Sequence, residues 1–214
     1  MKNSPWLSMI LPLIAWSGFD QALDYYVAGD YSKAFTQFRQ SCQEGNAAGC
    51  GYLGTMYEQG EGVREDREHA IQLYLKACEL GSAEHCTTLG FKYEVGSDVP
   101  QDRQYAVYLY QKGCHAGDSA GCTALGNLYL EGDPTLSDPH HAAMLFQKAC
   151  EDGEGEACLK LGLLYEKGYG VRQDKERAKR YFGKACDGGE AEGCSHYARL
   201  HKESDLEALL SAHE

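Results

Sequence analysis

The sequence predicts an all-α chain: an αα-hairpin repeat solenoid of five 36-residue units, each stapled by its own disulfide. Three observations predict it. All ten cysteines of the 214 residues fall in one frame, with Cys42, Cys78, Cys114, Cys150 and Cys186 as first members and Cys50, Cys86, Cys122, Cys158 and Cys194 as second. Apolar residues around Ala34, Ala70, Ala106, Ala142 and Ala178 recur at the spacing of a helix that buries one face. Glycines close the helical stretches at matching positions, so each unit is one supersecondary element and the chain is a stack of them.

The first element, residues 1–17, reads as an export signal. Met1 and Lys2 give a short positive region, Trp6 to Trp16 a mostly apolar one, and Ala15-Trp16-Ser17 a small-x-small site, which predicts cleavage before Gly18. The apolar stretch is about half the length of a spanning helix, and Pro12 interrupts it. No later segment is apolar enough to span a membrane, so the expected location is exported, periplasmic or secreted. Residues 18–28 follow as a capping helix, with Phe19, Ala22, Leu23 and Tyr26 on one face.

Residues 29–204 hold the five units. In each, Asp30, Asp66, Asp102, Asp138 or Asp174 stands just before the first helix (helix A), where a short carboxylate accepts the free first-turn amides. Pro139, directly after Asp138, fits the first helical position. Gly45, Gly81, Gly117, Gly153 and Gly189 close helix A. Helix B follows at once, carrying Leu53, Gly54 and Tyr57 in the first unit and Leu89, Gly90 and Tyr93 in the second, and ends at Gly60, Gly96, Gly132 or Gly168. A glycine inside a helix costs about 1 kcal/mol relative to alanine. Close approach of helix A to helix B is the expected compensation.

Both cysteines of a unit lie one helical turn from the turn residue between them, Asn46, Ser82, Asp118, Glu154 or Glu190, and antiparallel helices bring such positions face to face. The predicted bridges are therefore Cys42 to Cys50, Cys78 to Cys86, Cys114 to Cys122, Cys150 to Cys158 and Cys186 to Cys194. Loop-closure entropy values each at about 2–3 kcal/mol, and an oxidising compartment makes them persist. Zinc is the rival use, but two thiols per unit would have to be shared between neighbours to complete a tetrahedral site. Redox catalysis would call for Cys-x-x-Cys, which does not occur. No metal or cofactor is expected.

A stack must cover its terminal apolar faces. At the carboxyl end Ser204 followed by Glu207 has the form of a capping box ahead of Leu206, Leu209 and Leu210, which predicts a separate capping helix over 205–214. The fifth unit departs from the others accordingly, with Ala198 in place of the helix B glycine and His201 in place of the tyrosine.

The stretches GYLGTMYEQGEGVREDREHAIQLYLKAC and LKLGLLYEKGYGVRQDKERAKRYFGKAC resemble Sel-1-like repeats, relatives of the tetratricopeptide repeat with a Gly-x-Gly-Val-x-x-Asp connection between units. The resemblance extends over residues 28 to 205. With a cysteine pair in every unit and a signal, the chain also resembles the secreted Helicobacter cysteine-rich proteins. That resemblance implies a right-handed superhelix of disulfide-bridged hairpins, and members of that family are often named β-lactamases for penicillin binding and weak hydrolysis. Two connections depart from the motif: Gly96-Ser97-Asp98-Val99-Pro100 and Gly132-Asp133-Pro134-Thr135 lack the second glycine.

Chemistry is sparse. Gly117-Asp118-Ser119-Ala120-Gly121 has the spelling of a nucleophile elbow, which has meaning only between a strand and a helix, whereas the frame puts it in a helix-helix turn. Ser-x-x-Lys and His-x-His are absent, and His140 and His141 lie about 100° apart on a helix, too far round to chelate one ion. Gly60-Glu61-Gly62 and Gly168-Tyr169-Gly170 end helices and are turns. A net charge of -12 makes nucleic acid a poor partner.

What remains is a surface. Opposite the buried stripe of helix A lie Lys76 in the second unit, Tyr105, Tyr108 and Lys112 in the third, Lys148 in the fourth and Lys184 in the fifth. Stacked in register they form a lysine row with two tyrosines, on the face that in solenoids of this kind lines a concave groove. The row is either a ligand groove or an ordinary solvated face. Two functions follow: a scaffold binding a protein, peptide or cell-wall ligand on helix A, or, as the family resemblance implies, a β-lactam-binding hydrolase.

Overall fold

The chain is seen in a computed structural model that describes residues 18–131 and 137–211, with side chains for residues 18–130 and 137–204. The expected signal, the Gly132 to Thr135 stretch, and the side chains of Leu206, Leu209 and Leu210 lie outside the described residues. Among the described residues there are eleven helices and no strand: α1 (Gly18–Val27), α2 (Tyr31–Gln43), α3 (Ala47–Gln59), α4 (Arg67–Glu79), α5 (Ala83–Val95), α6 (Arg103–His115), α7 (Ser119–Glu131), α8 (Pro139–Glu151), α9 (Gly155–Lys167), α10 (Lys175–Asp187) and α11 (Ala191–Ser211). From α2 to α10 every helix has 13 residues. Equal helices joined by equal turns are what keep the cysteine frame from slipping.

Local chemistry sets the boundaries. The carboxylates of Asp30, Asp66, Asp102, Asp138 and Asp174 each accept from the backbone N–H three residues on, at 2.9 Å in the last four cases. Pro139 is the first residue of α8. The glycines closing helix A sit at φ between 88° and 99°, which an L side chain resists. The following N–H then reaches back to the carbonyl five residues earlier, as from Asn46 to Ser41 at 3.0 Å and from Glu190 to Ala185 at 2.9 Å. This is a Schellman closure. It folds helix B straight back along helix A and brings the cysteine Cα atoms within 4.4 to 4.7 Å, and all five within-hairpin bridges form, leaving no free thiol. Each of the ten sulfurs is bonded to another sulfur.

The helices divide into two compact parts, one ending at Leu73 and one beginning at Tyr74. In the first, α1 is fixed by aromatic packing: Phe38 and Tyr52 stack at 5.0 Å, and Phe19 and Tyr26 lie against both at 5.8 to 6.1 Å. Burial and a hydrogen bond to Glu61 push the Tyr26 hydroxyl up to about 12. Glu61 also takes the Tyr31 hydroxyl, so the first connector is tied to the ends of α1 and α2.

In the second part the glycine inside helix B has a specific cause. A Cβ on Gly90 would stand 2.8 Å from the Tyr110 ring, on Gly126 2.6 Å from Phe146, and on Gly162 2.7 Å from Phe182. The close approach is therefore to a fully buried ring on helix A of the following unit. At the end of the stack, Phe182 stacks on His196 of α11 at 4.7 Å and Leu200 is buried. The separate helix expected from residue 205 does not appear, because α11 runs unbroken from Ala191 to Ser211. Ser204 donates its hydroxyl to the His201 carbonyl at 2.8 Å, a bond within a continuing helix. A local capping signature has no effect where the preceding residues are already helical.

One irregular connection repairs itself. Gly62 and Gly170 take φ of 69° and 71°, and the backbones of Tyr31 and Pro139 respectively leave no room for a Cβ. Asp98 occupies the same position in its unit at φ 64°, as the one non-glycine residue with positive φ among the described residues. Its carboxylate accepts from Lys92 Nζ at 3.0 Å. Lys92, in turn, stands where the other units carry Met56, Leu128 and Leu164, and is 7% exposed. The two departures from the repeat form one part-buried ion pair. The connection keeps its shape, since Asp102 N–H still bonds the Tyr93 carbonyl at 2.8 Å as Asp66 bonds Tyr57.

Candidate interaction surface

The predicted row lies wholly in the second part, on the outer faces of α6, α8 and α10 and the end of α4. Its foundation is an aromatic seam. The helix B of the second, third and fourth units contributes a tyrosine near its end, and that ring meets helix A of the next unit: Tyr93 on Tyr105 at 4.7 Å, Tyr129 on His141 at 5.0 Å, and Tyr165 on Tyr181 at 5.5 Å. Arg177 lies over the Tyr165 ring at 5.5 Å and donates to its hydroxyl at 3.2 Å. Tyr105 carries the seam outward by stacking on Tyr108 at 5.8 Å. Burial, with smaller contributions from Tyr93, Tyr108 and Glu79, raises the Tyr105 hydroxyl above its ordinary range. It therefore stays a neutral donor at neutral pH.

The structure sorts the lysines into different roles. Lys112 and Lys184 hold their ammonium groups 5.9 Å from the rings of Tyr108 and Tyr181, pre-placed by weak cation–π attraction and open to an anion. Lys148 instead donates to the Cys114 carbonyl at 2.7 Å, so it ties α8 to the last turn of α6 beside a disulfide. Lys76 is exposed on α4. Tyr108, Gln111, Lys112 and His115 line a depression of about 520 Å3 at the carboxyl end of α6. With Tyr108 at 51% and Met144 at 58% exposure, the face offers apolar contact beside its cations. A carboxylate could meet Lys112 and His115 there, with the carbon chain laid on Tyr108.

Sequence reasoning placed Tyr105, Tyr108 and Lys112 together, as the structure does. The rings of Tyr129, Tyr165 and Tyr181 were not among the predicted surface residues, and Tyr93 was read only as a helix B residue. The signal was present in the frame, since a tyrosine recurs before each closing glycine, but its contact partner lies in the next unit. Ser119 is no elbow nucleophile. It opens α7 at a helix-helix turn, where Asp118 accepts from Ala120 N–H at 3.2 Å, and its own hydroxyl donates to Glu154 at 3.4 Å.

Comparison with known proteins agrees with this architecture. Residues 47–82, 88–118, 119–154 and 155–190, well over half of the chain, match the Sel1 repeat family. HcpE of Helicobacter pylori, which carries a β-lactamase name, is 46% identical over 41 residues, a stretch covering 19% of this chain and 12% of HcpE. The protective antigen c5321 of uropathogenic Escherichia coli, described as displaying an SLR fold, superposes with a TM-score of 0.81 at 27% identity, covering 87% of this chain and 41% of that one. A Sel1 repeat protein from Oxalobacter formigenes superposes with a TM-score of 0.72 at 28% identity, covering 79% of this chain and 49% of that one. The chain thus spans less than half the length of these three relatives. Its hairpins, its connections and its matched residues make it a member of the Sel1 repeat family, of the cysteine-rich type.

Proposed function

We propose that this Sel1 repeat chain is an exported scaffold that holds an extended acidic segment of a protein or peptide on the helix A faces of α6, α8 and α10. The observation that carries the reading is the pairing of open cations with aromatic rings, Lys112 on Tyr108 and Lys184 on Tyr181, in a chain whose net charge is -12. Export is supported by five disulfides, which persist in an oxidising compartment and not in the cytosol. No helix among the described residues is long and apolar enough to cross a membrane.

The test is binding of a fluorescent acidic peptide, such as one alternating Glu and Tyr, at low and moderate salt. Exposed lysines are screened over about 10 Å at 0.1 M salt, so affinity should fall as salt rises. Lys112→Glu with Lys184→Glu should abolish binding while leaving the circular dichroism spectrum unchanged. Binding that ignores both reversals would refute the assignment. The hydrolase reading rests on the name of HcpE, and nitrocefin turnover by the same preparation tests it: hydrolysis that survives the reversals would move the function to another site.

A further inference from the structure

A cavity of about 680 Å3 opens where the fourth connector meets the starts of α8 and α10. His140, Tyr165, Arg172, Gln173, Asp174 and Arg177 form most of its wall. Arg177 is held in place, with its Nε 3.3 Å from Asp174 Oδ2 and its Nη1 donating to the Tyr165 hydroxyl at 3.2 Å, so Nη2 is the edge left for a ligand. His140 Nδ1 lies 3.1 Å from the Gly170 carbonyl. A carbonyl only accepts, so Nδ1 carries a proton and Nε2 is the nitrogen left to meet a ligand. Arg172 is exposed, and no carboxylate among the described residues pairs with it.

The first unit carries the same loop with different charges. Its connector, Gly60-Glu61-Gly62-Val63-Arg64-Glu65-Asp66, differs from Gly168-Tyr169-Gly170-Val171-Arg172-Gln173-Asp174 only in having Glu61 for Tyr169 and Glu65 for Gln173. The backbones agree: Gly62 and Gly170 have φ of 69° and 71°, and the N–H groups of Asp66 and Asp174 reach Tyr57 and Tyr165 carbonyls at 2.8 and 2.9 Å. In the first connector Glu61 accepts from the Tyr31 hydroxyl and Glu65 from Arg67 Nε at 2.8 Å. The fourth connector keeps the arginine, lacks both acids, and has Arg177 where the first has His69. Neither the loop's shape nor the helix cap requires this change of charge, since the first connector achieves both with its acids in place.

We infer that this cavity anchors a carboxylate side chain, glutamate or aspartate, of the acidic segment proposed for the helix A face; the assignment rests on that reading and gives the segment a fixed point. The cavity joins that face through α10, on which Arg177, Tyr181 and Lys184 follow at helical spacing, with the Tyr181 ring 5.5 Å from Tyr165. The planar fork of Arg172 suits both oxygens of a carboxylate side by side, and Arg177 Nη2 and His140 Nε2 supply further donors. A phosphate dianion fits less well, because Asp174 stands in the same wall and repels its second charge.

The experiment is a titration of 15N-labelled, oxidised protein with acetyl-Gly-Glu-Gly-amide, followed by backbone amide shifts. Amides of residues 168–174 and 177 should move saturably. The glutamine peptide, equal in shape and uncharged, should leave them in place, and methyl phosphate should bind more weakly than the glutamate peptide. Arg172→Gln, an exposed substitution outside the core, should weaken the glutamate peptide about fivefold, the effect of one exposed charge contact. Gln173→Glu, which restores an acid of the first connector, should weaken it as well. Lys112→Glu should leave this short peptide unaffected while weakening the longer acidic peptide, so the anchor and the helix A reading fail separately. Absence of saturable shifts, equal shifts with glutamine, tighter binding of methyl phosphate, or an affinity indifferent to Arg172→Gln would each overturn the anchor.

Discussion

Removing Asp98 should be far more damaging alone than together with Lys92. The ion pair has side chains 9% and 13% exposed and a separation of 3.0 Å. At an effective dielectric constant near 20, such a contact corresponds to about 5 kcal/mol of attraction, most of it offset by the desolvation of both groups. Asp98→Gly restores the residue best suited to positive φ, a gain of about 1 kcal/mol. It also takes the carboxylate from a lysine that stands in a leucine position, a loss of about 3–5 kcal/mol. The net expectation is destabilisation by about 2–4 kcal/mol. Lys92→Met leaves Asp98 nearer solvent and still bonded by Ser97 Oγ at 3.3 Å, so its loss should be smaller, about 1–2 kcal/mol. The double variant recreates the Met56 and Gly62 combination of the first unit and should lie within about 1 kcal/mol of the parent, or above it. Urea unfolding of the four proteins, disulfides intact, measures the cycle. If the two single losses simply add in the double variant, the pair is not the compensation described and the reasoning fails.

Three further expectations follow from the same structure. Gly126→Ala puts a Cβ 2.6 Å from the Phe146 ring and should cost about 1–3 kcal/mol, whereas Gly126→Ala with Phe146→Leu should recover part of it; thermal unfolding decides. His85 is buried against the Tyr74 ring at 5.6 Å with Ser82 Oγ on its Nδ1 at 2.7 Å, and burial lowers its pKa from the ordinary 6.5, against the pull of Glu84. The unfolded chain therefore takes up the proton first, so stability should fall as pH drops below 6.5 and level off only under the folded pKa. His85→Ala, matching Ala157 in the fourth unit, should flatten that slope between pH 7.5 and 5, and an unchanged slope would assign the acid response elsewhere. Loss of the central Cys114 to Cys122 bridge should lower the unfolding midpoint more than loss of the terminal Cys186 to Cys194 bridge, because a central break spoils two interfaces. Equal losses would argue against nearest-neighbour stability.

The hairpin was legible because its determinants are local. Aspartate caps, closing glycines and cysteines eight residues apart act within one unit, and a strict frame repeats each signal several times. What joins one unit to the next was not legible in the same way. Gly126 announces a close approach, but only the fold names Phe146 as the ring that approaches. Lys148 looked like a member of the lysine row, yet its ammonium reaches Cys114, 34 residues earlier. Lys92 and Asp98 could have been read as a pair, since both depart from the frame in one unit and in opposite charge. Ser204 shows the reverse error, a local motif overridden by a helix already under way.

The central functional claim is that an acidic segment lies on helix A. Amide hydrogen exchange of the oxidised protein, with and without a bound acidic peptide, tests it most directly. The account predicts added protection in α6, α8 and α10, strongest around Tyr108 to His115, where Tyr108, Lys112 and His115 line the depression. Protection confined to the helix B segments α5, α7 and α9 would contradict it.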